Sequence, residues 1–199
     1  MSKPLRICVA DDEPDMREYL CKILPRLGHE VVYAAQTGRE LLTQVLDKKP
    51  DLVITDIRMP DMDGIEAATQ IYDQFPVPVI LISAHHDPEL IERAERDHIL
   101  AYLVKPIKGA DLETAIVIAT RRFEQFQELR HEADNLRQAL EDRKVIERAK
   151  GILMKRLNLD EQSAFRRLQR LSSDKNLKLV IVAQSILVAE EALDTKGLP

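Results

Sequence analysis

The chain has few aromatic residues, few cysteines and no long apolar run. Tryptophan is absent from the 199 residues, and aromatic residues make up 4% of them. No stretch approaches the roughly 20 consecutive apolar residues of a transmembrane helix, so we expect no membrane span. The two cysteines, Cys8 and Cys21, lack metal-ligand spacing, and we expect buried, reduced thiols in a cytoplasmic protein. The sequence has no glycine-rich phosphate loop, which argues against a nucleotide-binding site.

The charged residues are unevenly distributed along the chain. Hydrophobic residues make up 45% and charged residues 32%, which is typical of a folded protein, and the net charge is −5. Residues 1–120 carry 13 basic and 21 acidic side chains, whereas residues 143–199 carry 12 basic and 7 acidic ones. This division predicts that any polyanionic partner binds at the C-terminal end.

The first 120 residues alternate between strand-like and helix-like patterns. Several apolar runs are continuous, which is typical of strands buried on both faces of a parallel sheet. The alternation predicts an α/β domain with a doubly wound, five-stranded parallel sheet, in which ligands bind beyond the carboxyl ends of the strands. The predicted strands are Leu5–Ala10, Val31–Ala35, Leu52–Thr55, Val77–Ser83 and Ala101–Val104, and the predicted helices cover 14–27, 37–48, 64–74, 88–97 and 109 onward.

A proline-free stretch follows the predicted α/β domain. Proline does not occur between Gly109 and Pro199, so the last helix can continue well past residue 120. Apolar residues recur there at spacings close to a heptad, which predicts a coiled-coil linker helix over 121–141. The alternative is a long amphipathic helix packed on its own domain. The repeating positions are Ala119, Phe123, Phe126, Leu129, Ala133, Leu136 and Leu140.

The C-terminal residues predict a small three-helix bundle over 142–199. Three apolar stripes follow one another at helical spacing, and Asp160 stands where a helix N-cap belongs. We expect Ala149 and Gly151 to allow close helix packing, because a glycine within a helix is otherwise unfavourable. The stripes are Val145, Ala149, Ile152 and Leu153; Ala164, Phe165, Leu168 and Leu171; and Leu179, Val182, Ala183 and Ile186.

Polar side chains with complementary chemistry lie at the ends of four predicted strands. Asp11 and Asp12 follow the first strand, Asp56 the third and Lys105 the fifth, and Ser83 ends the fourth. The carboxyl ends of parallel strands meet at one edge of the sheet, so we expect these residues together. Carboxylates without cysteine or histidine form a hard oxygen site suited to Mg²⁺. The metal and the lysine would both offset the charge of a phosphoryl group arriving at Asp56.

Three segments of this region, VADDEP, ITDIRMPDMDG and VKP, resemble motifs of response-regulator receivers. They match the acidic pair, the phosphoacceptor loop and the lysine–proline motif, and the resemblance covers about residues 4–120. It implies a flavodoxin-like fold, Asp56 as phosphoacceptor and a sensor histidine kinase as phosphodonor. It also implies Mg²⁺ held by Asp12, Asp56 and the backbone carbonyl of Arg58, with Asp11 acting mostly through water.

The same resemblance implies roles for three more residues. Lys105 would pair with the phosphoryl group, and its bond to Pro106 would be cis. Ser83 and Tyr102 match the hydroxyl and aromatic switch positions, and Ser83 could donate a hydrogen bond to a phosphoryl oxygen. On phosphorylation the hydroxyl moves towards the phosphoryl group and the aromatic ring turns inward, which makes a two-state element.

The C-terminal bundle is strongly basic. Residues 143–182 carry 11 basic and 4 acidic side chains, which favours a nucleic-acid partner over a merely solvated helix surface. Phe165 is the one aromatic residue after 142, and its place on an apolar stripe predicts that no stacking platform for bases exists. Binding would then depend on phosphate contacts and a few polar contacts to bases.

The C-terminal segment resembles the ANTAR domain, a three-helix RNA-binding antiterminator module. The resemblance covers about residues 138–193 and rests on AKGILM, on Ala164–Phe165, and on a pattern from Ser172 to Leu179. It implies binding to paired stem-loops in leader RNA, which prevents formation of a terminator. The basic residues that we expect to contact RNA are Lys150, Lys155, Arg156, Arg166, Arg167 and Lys178.

The sequence thus predicts a receiver domain at 1–120, a coiled-coil linker helix at 121–141 and an ANTAR-type RNA-binding domain at 142–199. Its expected function is phosphorylation-dependent transcription antitermination, with a homodimer promoted by phosphorylation. We expect no enzymatic activity beyond Mg²⁺-dependent phosphoryl transfer to the chain itself and slow dephosphorylation. Two alternatives remain open at this point: a DNA-binding helix-turn-helix output, and an output that binds protein.

Overall fold

The structure is a computed structural model and describes residues 3–84 and 99–193. Five parallel strands form one sheet in the order β2-β1-β3-β4-β5. The predicted doubly wound α/β fold is therefore confirmed, although the predicted helix over 88–97 lies outside the described residues. The strands are β1 Arg6–Ala10, β2 Glu30–Ala35, β3 Leu52–Asp56, β4 Val79–Ser83 and β5 Ile99–Val104.

The continuous apolar strands β3 and β4 are buried on both faces, as predicted. All five residues of β3 and all five of β4 are buried, because helices cover both faces of the sheet. Helices α2 Gly38–Lys48 and α3 Gly64–Gln74 pack over one apolar core. Helix α1 Pro14–Arg26 and the first turns of the helix that begins at Gly109 pack over the other apolar core.

Local capping defines where two of these helices begin. The side chain of Thr37 accepts a hydrogen bond from the backbone N–H of Glu40, and the side chain of Asp63 accepts one from that of Glu66. Such caps satisfy N–H groups that the first turn leaves without a helical partner.

One of the two cysteines differs from expectation. Cys8 is buried in β1, but Cys21 is exposed, because it follows the buried Leu20 on the solvent side of α1.

Helix α4 is a single helix of 49 residues, Gly109–Leu157. The sequence predicted a linker helix followed by a separate first helix of the C-terminal bundle, whereas the structure joins them without a break. The physical reason is that no proline interrupts the segment and Gly151 alone weakens it. Two shorter helices follow, α5 Glu161–Lys175 and α6 Leu179–Leu193.

The contacts within the chain divide it into two compact units, and the boundary along the chain lies between Gln127 and Glu128. Every residue from 128 to 140 is exposed in the single chain, including Leu129 and Leu136. An amphipathic helix packed on its own domain would bury those leucines, so that alternative is wrong for this stretch. Within residues 3–84 and 99–193, no helix is both long and apolar enough to cross a membrane.

The C-terminal unit has a small apolar core built from α4, α5 and α6. Its buried residues are Ala149, Leu168, Val182 and Ala183, drawn from all three predicted stripes. The predicted N-cap is confirmed, because the side chain of Asp160 accepts a hydrogen bond from the backbone N–H of Ser163 at 2.7 Å. At the other end of α5, Asn176 adopts the left-handed conformation that terminates helices.

Two predictions about this unit are wrong. Phe165 is not part of the apolar core: it is 37% exposed, whereas Ala164 beside it is fully buried. Gly151 does not allow a close approach of helices, because a Cβ atom at this position would meet nothing within 4 Å. Ala149 alone serves the close packing that was expected of both residues.

Candidate functional site

The carboxyl edge of the sheet brings Asp11, Asp56, Ser83 and Lys105 together. Asp56 is the last residue of β3 and is 5% exposed. The Lys105 ammonium lies 3.0 Å from Asp56 Oδ1 and 2.9 Å from Asp11 Oδ2. Asp11 Oδ2 is fully buried, and its contact with Lys105 is an ion pair. One cation therefore neutralises part of the charge of two buried carboxylates.

Backbone hydrogen bonds orient these side chains. The backbone N–H of Arg58 donates to Asp56 Oδ2 at 2.6 Å, and that of Glu13 donates to Asp11 Oδ1 at 2.9 Å. The backbone N–H of Lys105 donates to the carbonyl of Ser83 at 2.8 Å, which joins the ends of β4 and β5. The Lys105–Pro106 peptide bond is cis.

Burial and the neighbouring charges act against each other in this cluster. Burial raises the pKa of Asp56 and of Asp11, and the contact with Lys105 opposes the rise in each case. For Lys105 itself burial would lower the pKa, but contacts with Asp11 and Asp56 outweigh burial and raise it. Lys105 therefore stays charged, and a further cation would stabilise the ionised form of the two carboxylates.

The site also has the ligands of a hard metal ion. Carboxylate oxygens of Asp11, Asp12 and Glu13 lie within 4.8 Å of one another. Asp12, Glu13, Asp56 and Arg58 line a cavity of about 180 Å³ at this edge. The donor set is all oxygen, so these residues fit Mg²⁺ and its bound waters. Glu13, whose carboxylate lies 3.5 Å from Lys105 Nζ, was not predicted, although VADDEP shows a third acidic residue directly after the pair.

The two predicted switch residues lie on neighbouring strands. Ser83 ends β4, is 4% exposed and lines the cavity beside Asp56. Tyr102 lies on β5, is half-buried and packs against the core on the side of α2 and α3. In the register of the two strands Leu81 pairs with Tyr102 and Ser83 with Val104. The two side chains thus sit on adjacent strands.

The predicted RNA-contacting residues fall into two groups. Lys155, Arg166, Arg167 and Lys178 are exposed. The other two are engaged in ion pairs within the C-terminal unit. Lys150 is 8% exposed and lies 2.5 Å from Glu147 and 2.7 Å from Glu161, and Arg156 Nε lies 2.9 Å from a carboxylate oxygen of Glu190.

The exposed arginines of α5 form a continuous basic face. Arg166, Arg167 and Arg170 line a shallow cavity of about 430 Å³, together with Ser163 and two leucines. Arg170 was not among the predicted contact residues, although its spacing of four from Arg166 places both on one side of a helix. Guanidinium groups in such a row suit the phosphates of a nucleic-acid backbone.

The carboxyl edge of the sheet and the basic C-terminal helices together define the class of protein. It is a response regulator with a receiver and a helical output domain. Comparison with known families agrees. The chain belongs to the response regulators: the sequence model of the response regulator receiver domain matches residues 7–117, and that of the ANTAR domain matches residues 134–187.

Known proteins resemble the chain over its whole length or over the receiver alone. The transcriptional regulatory protein PdtaR of Mycobacterium tuberculosis is 38% identical over 98% of this chain and 93% of its own length. The positive alginate biosynthesis regulatory protein of Pseudomonas aeruginosa is 35% identical over 59% of this chain and 48% of its own length.

Solved structures resemble the receiver. A response regulator receiver domain protein from Clostridium thermocellum shares 30% identity, with a TM-score of 0.56 over 61% of this chain and 98% of that one. A chain of the CheX–CheY–BeF3–Mg²⁺ complex from Borrelia burgdorferi shares 26% identity, with a TM-score of 0.54 over 57% of this chain and 87% of that chain.

Proposed function

We propose that phosphorylation of Asp56 controls the binding of the C-terminal domain to leader RNA, and that the protein acts as a transcription antiterminator. The observation that carries this proposal is the pairing of a buried carboxylate with a lysine in one domain and an arginine face in the other. In this assignment residues 1–120 form the receiver, 121–141 the coiled-coil linker and 142–199 the RNA-binding domain.

The proposed phosphoryl transfer begins at a phosphohistidine of a sensor kinase. A carboxylate oxygen of Asp56 attacks the phosphorus atom, the phosphorus–nitrogen bond breaks, and its electron pair stays on the histidine nitrogen. Lys105 stabilises the charge on the phosphoryl oxygens, and Ser83 donates a hydrogen bond to one of them. Asp11, Asp12, Glu13, Asp56 and the backbone carbonyl of Arg58 would hold Mg²⁺, which would supply further positive charge, and the likeness to a chain of a Mg²⁺-containing complex supports this.

Asp56→Asn tests the phosphorylation half of the proposal. The amide keeps the size of the side chain but removes the nucleophile, so labelling by acetyl phosphate with Mg²⁺ should fall to background. Asp73→Asn, at an exposed position on α3, is the matched control and should be labelled like the parent. Full labelling of the Asp56 variant would reject this residue as the acceptor.

Charge reversal on α5 tests the RNA half. Phosphate contacts release counterions, so the affinity of the phosphorylated protein for a two-stem-loop leader RNA should fall steeply with salt. Arg166→Glu with Arg167→Glu should weaken binding at least tenfold and reduce the salt dependence, because each phosphate contact contributes to both. The measurement is filter binding across a salt series, with circular dichroism to check folding.

A control pair makes that test specific. Arg137→Glu with Lys144→Glu changes the net charge by the same amount at exposed positions of α4. Because salt screens distant charges, this control should change the affinity for the RNA by no more than about twofold. If the folded α5 variant binds as tightly as the parent, the arginine face is not the contact surface. If duplex DNA of the same sequence binds better than the RNA, the DNA-binding alternative is favoured.

A further inference from the structure

A cavity of about 490 Å³ lies at the amino edge of the receiver sheet. This edge is opposite the one that carries Asp56, because the strands are parallel and Asp56 is the last residue of β3. The volume is within the range of small-ligand sites. All residues that line the cavity belong to the unit that ends at Gln127. We call it the amino-edge pocket.

The starts of four strands and one side of α4 form the walls of the amino-edge pocket. The residues just before β1, β2, β3 and β4 all line it, namely Leu5, His29, Asp51 and Pro78. Helix α4 closes it with residues between 116 and 124. Most of this wall is apolar, and it includes Val77, Ile116, Val117, Phe123 and the prolines at 50, 76 and 78. The pocket therefore suits a ligand with a substantial apolar part.

His29 supplies a buried hydrogen-bond donor to this pocket. The residue is 7% exposed, and its Nδ1 accepts a hydrogen bond from the backbone N–H of Leu5 at 3.2 Å. A ring that accepts through Nδ1 is neutral and carries its hydrogen on Nε2. Within residues 3–84 and 99–193, no group accepts that hydrogen. Because a buried donor without a partner is unfavourable, a ligand that brings an acceptor gains binding energy.

The charged residues of the pocket also favour an acceptor. Lys3 and Arg121 are exposed, and neither forms an ion pair with another described residue. Of the two carboxylates in the lining, Asp51 already accepts a hydrogen bond from the backbone N–H of Arg6 at 2.8 Å, and Glu124 is exposed to solvent. Three donor side chains thus face two carboxylates, one of which is engaged within the fold.

We propose that the amino-edge pocket binds a monocarboxylate with an apolar chain. The ligand carboxylate accepts a hydrogen bond from Nε2–H of His29 and lies near the positive charges of Lys3 and Arg121. The apolar chain packs on the wall that includes Val77, Ile116 and Phe123. This site is separate from the sheet edge that carries Asp56 and from the arginine face, and its ligand would contact the helix that continues into the C-terminal unit.

Isothermal titration calorimetry of the full-length protein tests the chemistry of the ligand. Octanoate is the probe and should bind with a dissociation constant below about 1 mM. Octylammonium has the same chain but no acceptor for His29, so it should bind at least about tenfold more weakly. Acetate keeps the carboxylate but lacks the apolar chain, and it should also bind at least about tenfold more weakly.

Two pairs of neighbouring residues on α4 locate the site. Val117 and Ile118 are 45% and 42% exposed, but of the two only Val117 lines the pocket. Val117→Glu places a negative charge in the pocket and should reduce the affinity for octanoate about tenfold, whereas Ile118→Glu should leave it unchanged. Arg121→Gln should weaken binding about threefold, and Arg122→Gln, which changes an exposed arginine outside the lining, should not. Circular dichroism checks that each variant is folded.

The ring of His29 gives a direct signal without any substitution. Its ¹H–¹⁵N ring resonances in the parent protein should shift when octanoate is added, because Nε2–H gains an acceptor. The site is rejected if octanoate does not bind, if octylammonium binds as tightly as octanoate, or if these resonances stay unchanged while octanoate binds. It is also rejected if folded Val117→Glu binds octanoate as tightly as Ile118→Glu. None of these outcomes alters the proposed phosphorylation or RNA binding, which separate measurements test.

Discussion

At the scale of single residues, Lys105 balances part of the negative charge around Asp56, the proposed phosphorylation site. Its ammonium lies within 3.0 Å of both Asp11 and Asp56, and Glu13 approaches it at 3.5 Å. Three carboxylates thus share one lysine, which leaves the cluster short of positive charge. The cluster therefore favours the binding of a further cation, and a phosphoryl group on Asp56 would favour it more.

His29 links the stability of the receiver to pH. It is 7% exposed, and its Nδ1 accepts a hydrogen bond from the backbone N–H of Leu5 at 3.2 Å, which only the neutral ring can do. Burial lowers the pKa of His29, against a smaller opposing effect of Glu113. The unfolded chain therefore binds the proton more readily, and the free energy of unfolding should fall as the pH drops below about 6.5.

The tyrosines make this prediction measurable in the full chain. All four, Tyr19, Tyr33, Tyr72 and Tyr102, belong to the receiver, so their fluorescence reports its unfolding in urea. His29→Gln keeps an acceptor but does not titrate, and it should flatten the dependence of receiver stability on pH between about 5 and 7. An equally steep dependence in that variant would show that other groups cause it.

At the scale of secondary-structure elements, two glycines with different surroundings should respond oppositely to the same substitution. A Cβ at Gly64, the first residue of α3, would lie 2.0 Å from the backbone oxygen of Asp56. Gly64→Ala should therefore destabilise the receiver by about 3 kcal/mol. Gly151 lies inside α4 with open space around it, and Gly151→Ala should stabilise the C-terminal unit by about 1 kcal/mol.

Urea unfolding followed by two signals separates these effects. Tyrosine fluorescence follows the receiver, and far-ultraviolet circular dichroism follows the helices of both units. Acetyl phosphate labelling of Asp56 should also fall in Gly64→Ala, because the clash displaces the backbone that carries the nucleophile. A stable, normally labelled Gly64→Ala variant would contradict the close approach of α3 to β3.

Elements with a strong local signal were predictable from the sequence. Buried parallel strands such as β3 and β4 are continuous apolar runs, and their ends place Asp56 and Ser83 without any long-range information. The cap at Asp160 is equally local, because its side chain bonds to a residue three positions away. For these elements the local sequence is enough to predict where the element begins or ends and which side chain stands there.

Features that depend on long-range packing were not predictable in the same way. Periodicity assigned Phe165 to the apolar stripe, but α4 and α6 cover only the side of α5 that carries Ala164 and Leu168. The ion pair of Lys150 with Glu161 joins two helices across a turn, which a pattern of charges does not reveal. The exposure of Phe165 and the ion pair of Lys150 both depend on how neighbouring helices pack.

At the scale of the whole molecule, one continuous helix connects the acidic receiver to the basic bundle. Helix α4 begins in the apolar core of the receiver, where Leu112 and Ala119 are fully buried, and it contributes Ala149 to the core of the C-terminal unit. A change at Asp56, the proposed phosphorylation site, would thus have a covalent, helical route to the C-terminal unit.

The exposed middle of α4 is the proposed dimer contact. Leu129, Leu136 and Leu140 are 65%, 61% and 59% exposed, and they continue the heptad spacing. Burying a leucine side chain contributes roughly 2 kcal/mol, so burial of these residues between two chains would favour association. Two tethered RNA-binding domains would also bind paired stem-loops more tightly than one, through effective concentration.

Leu129→Lys with Leu136→Lys should therefore abolish the dimer that phosphorylation promotes. Light scattering of the phosphorylated parent should give twice the monomer mass, whereas the variant should stay at the monomer mass because four ammonium groups would meet at one contact. His131→Lys with Gln138→Lys adds lysines at the same spacing on the opposite side of the helix and should dimerise like the parent. If both variants dimerise equally, the contact lies elsewhere, and α4 serves only to transmit the state of Asp56 within a single chain.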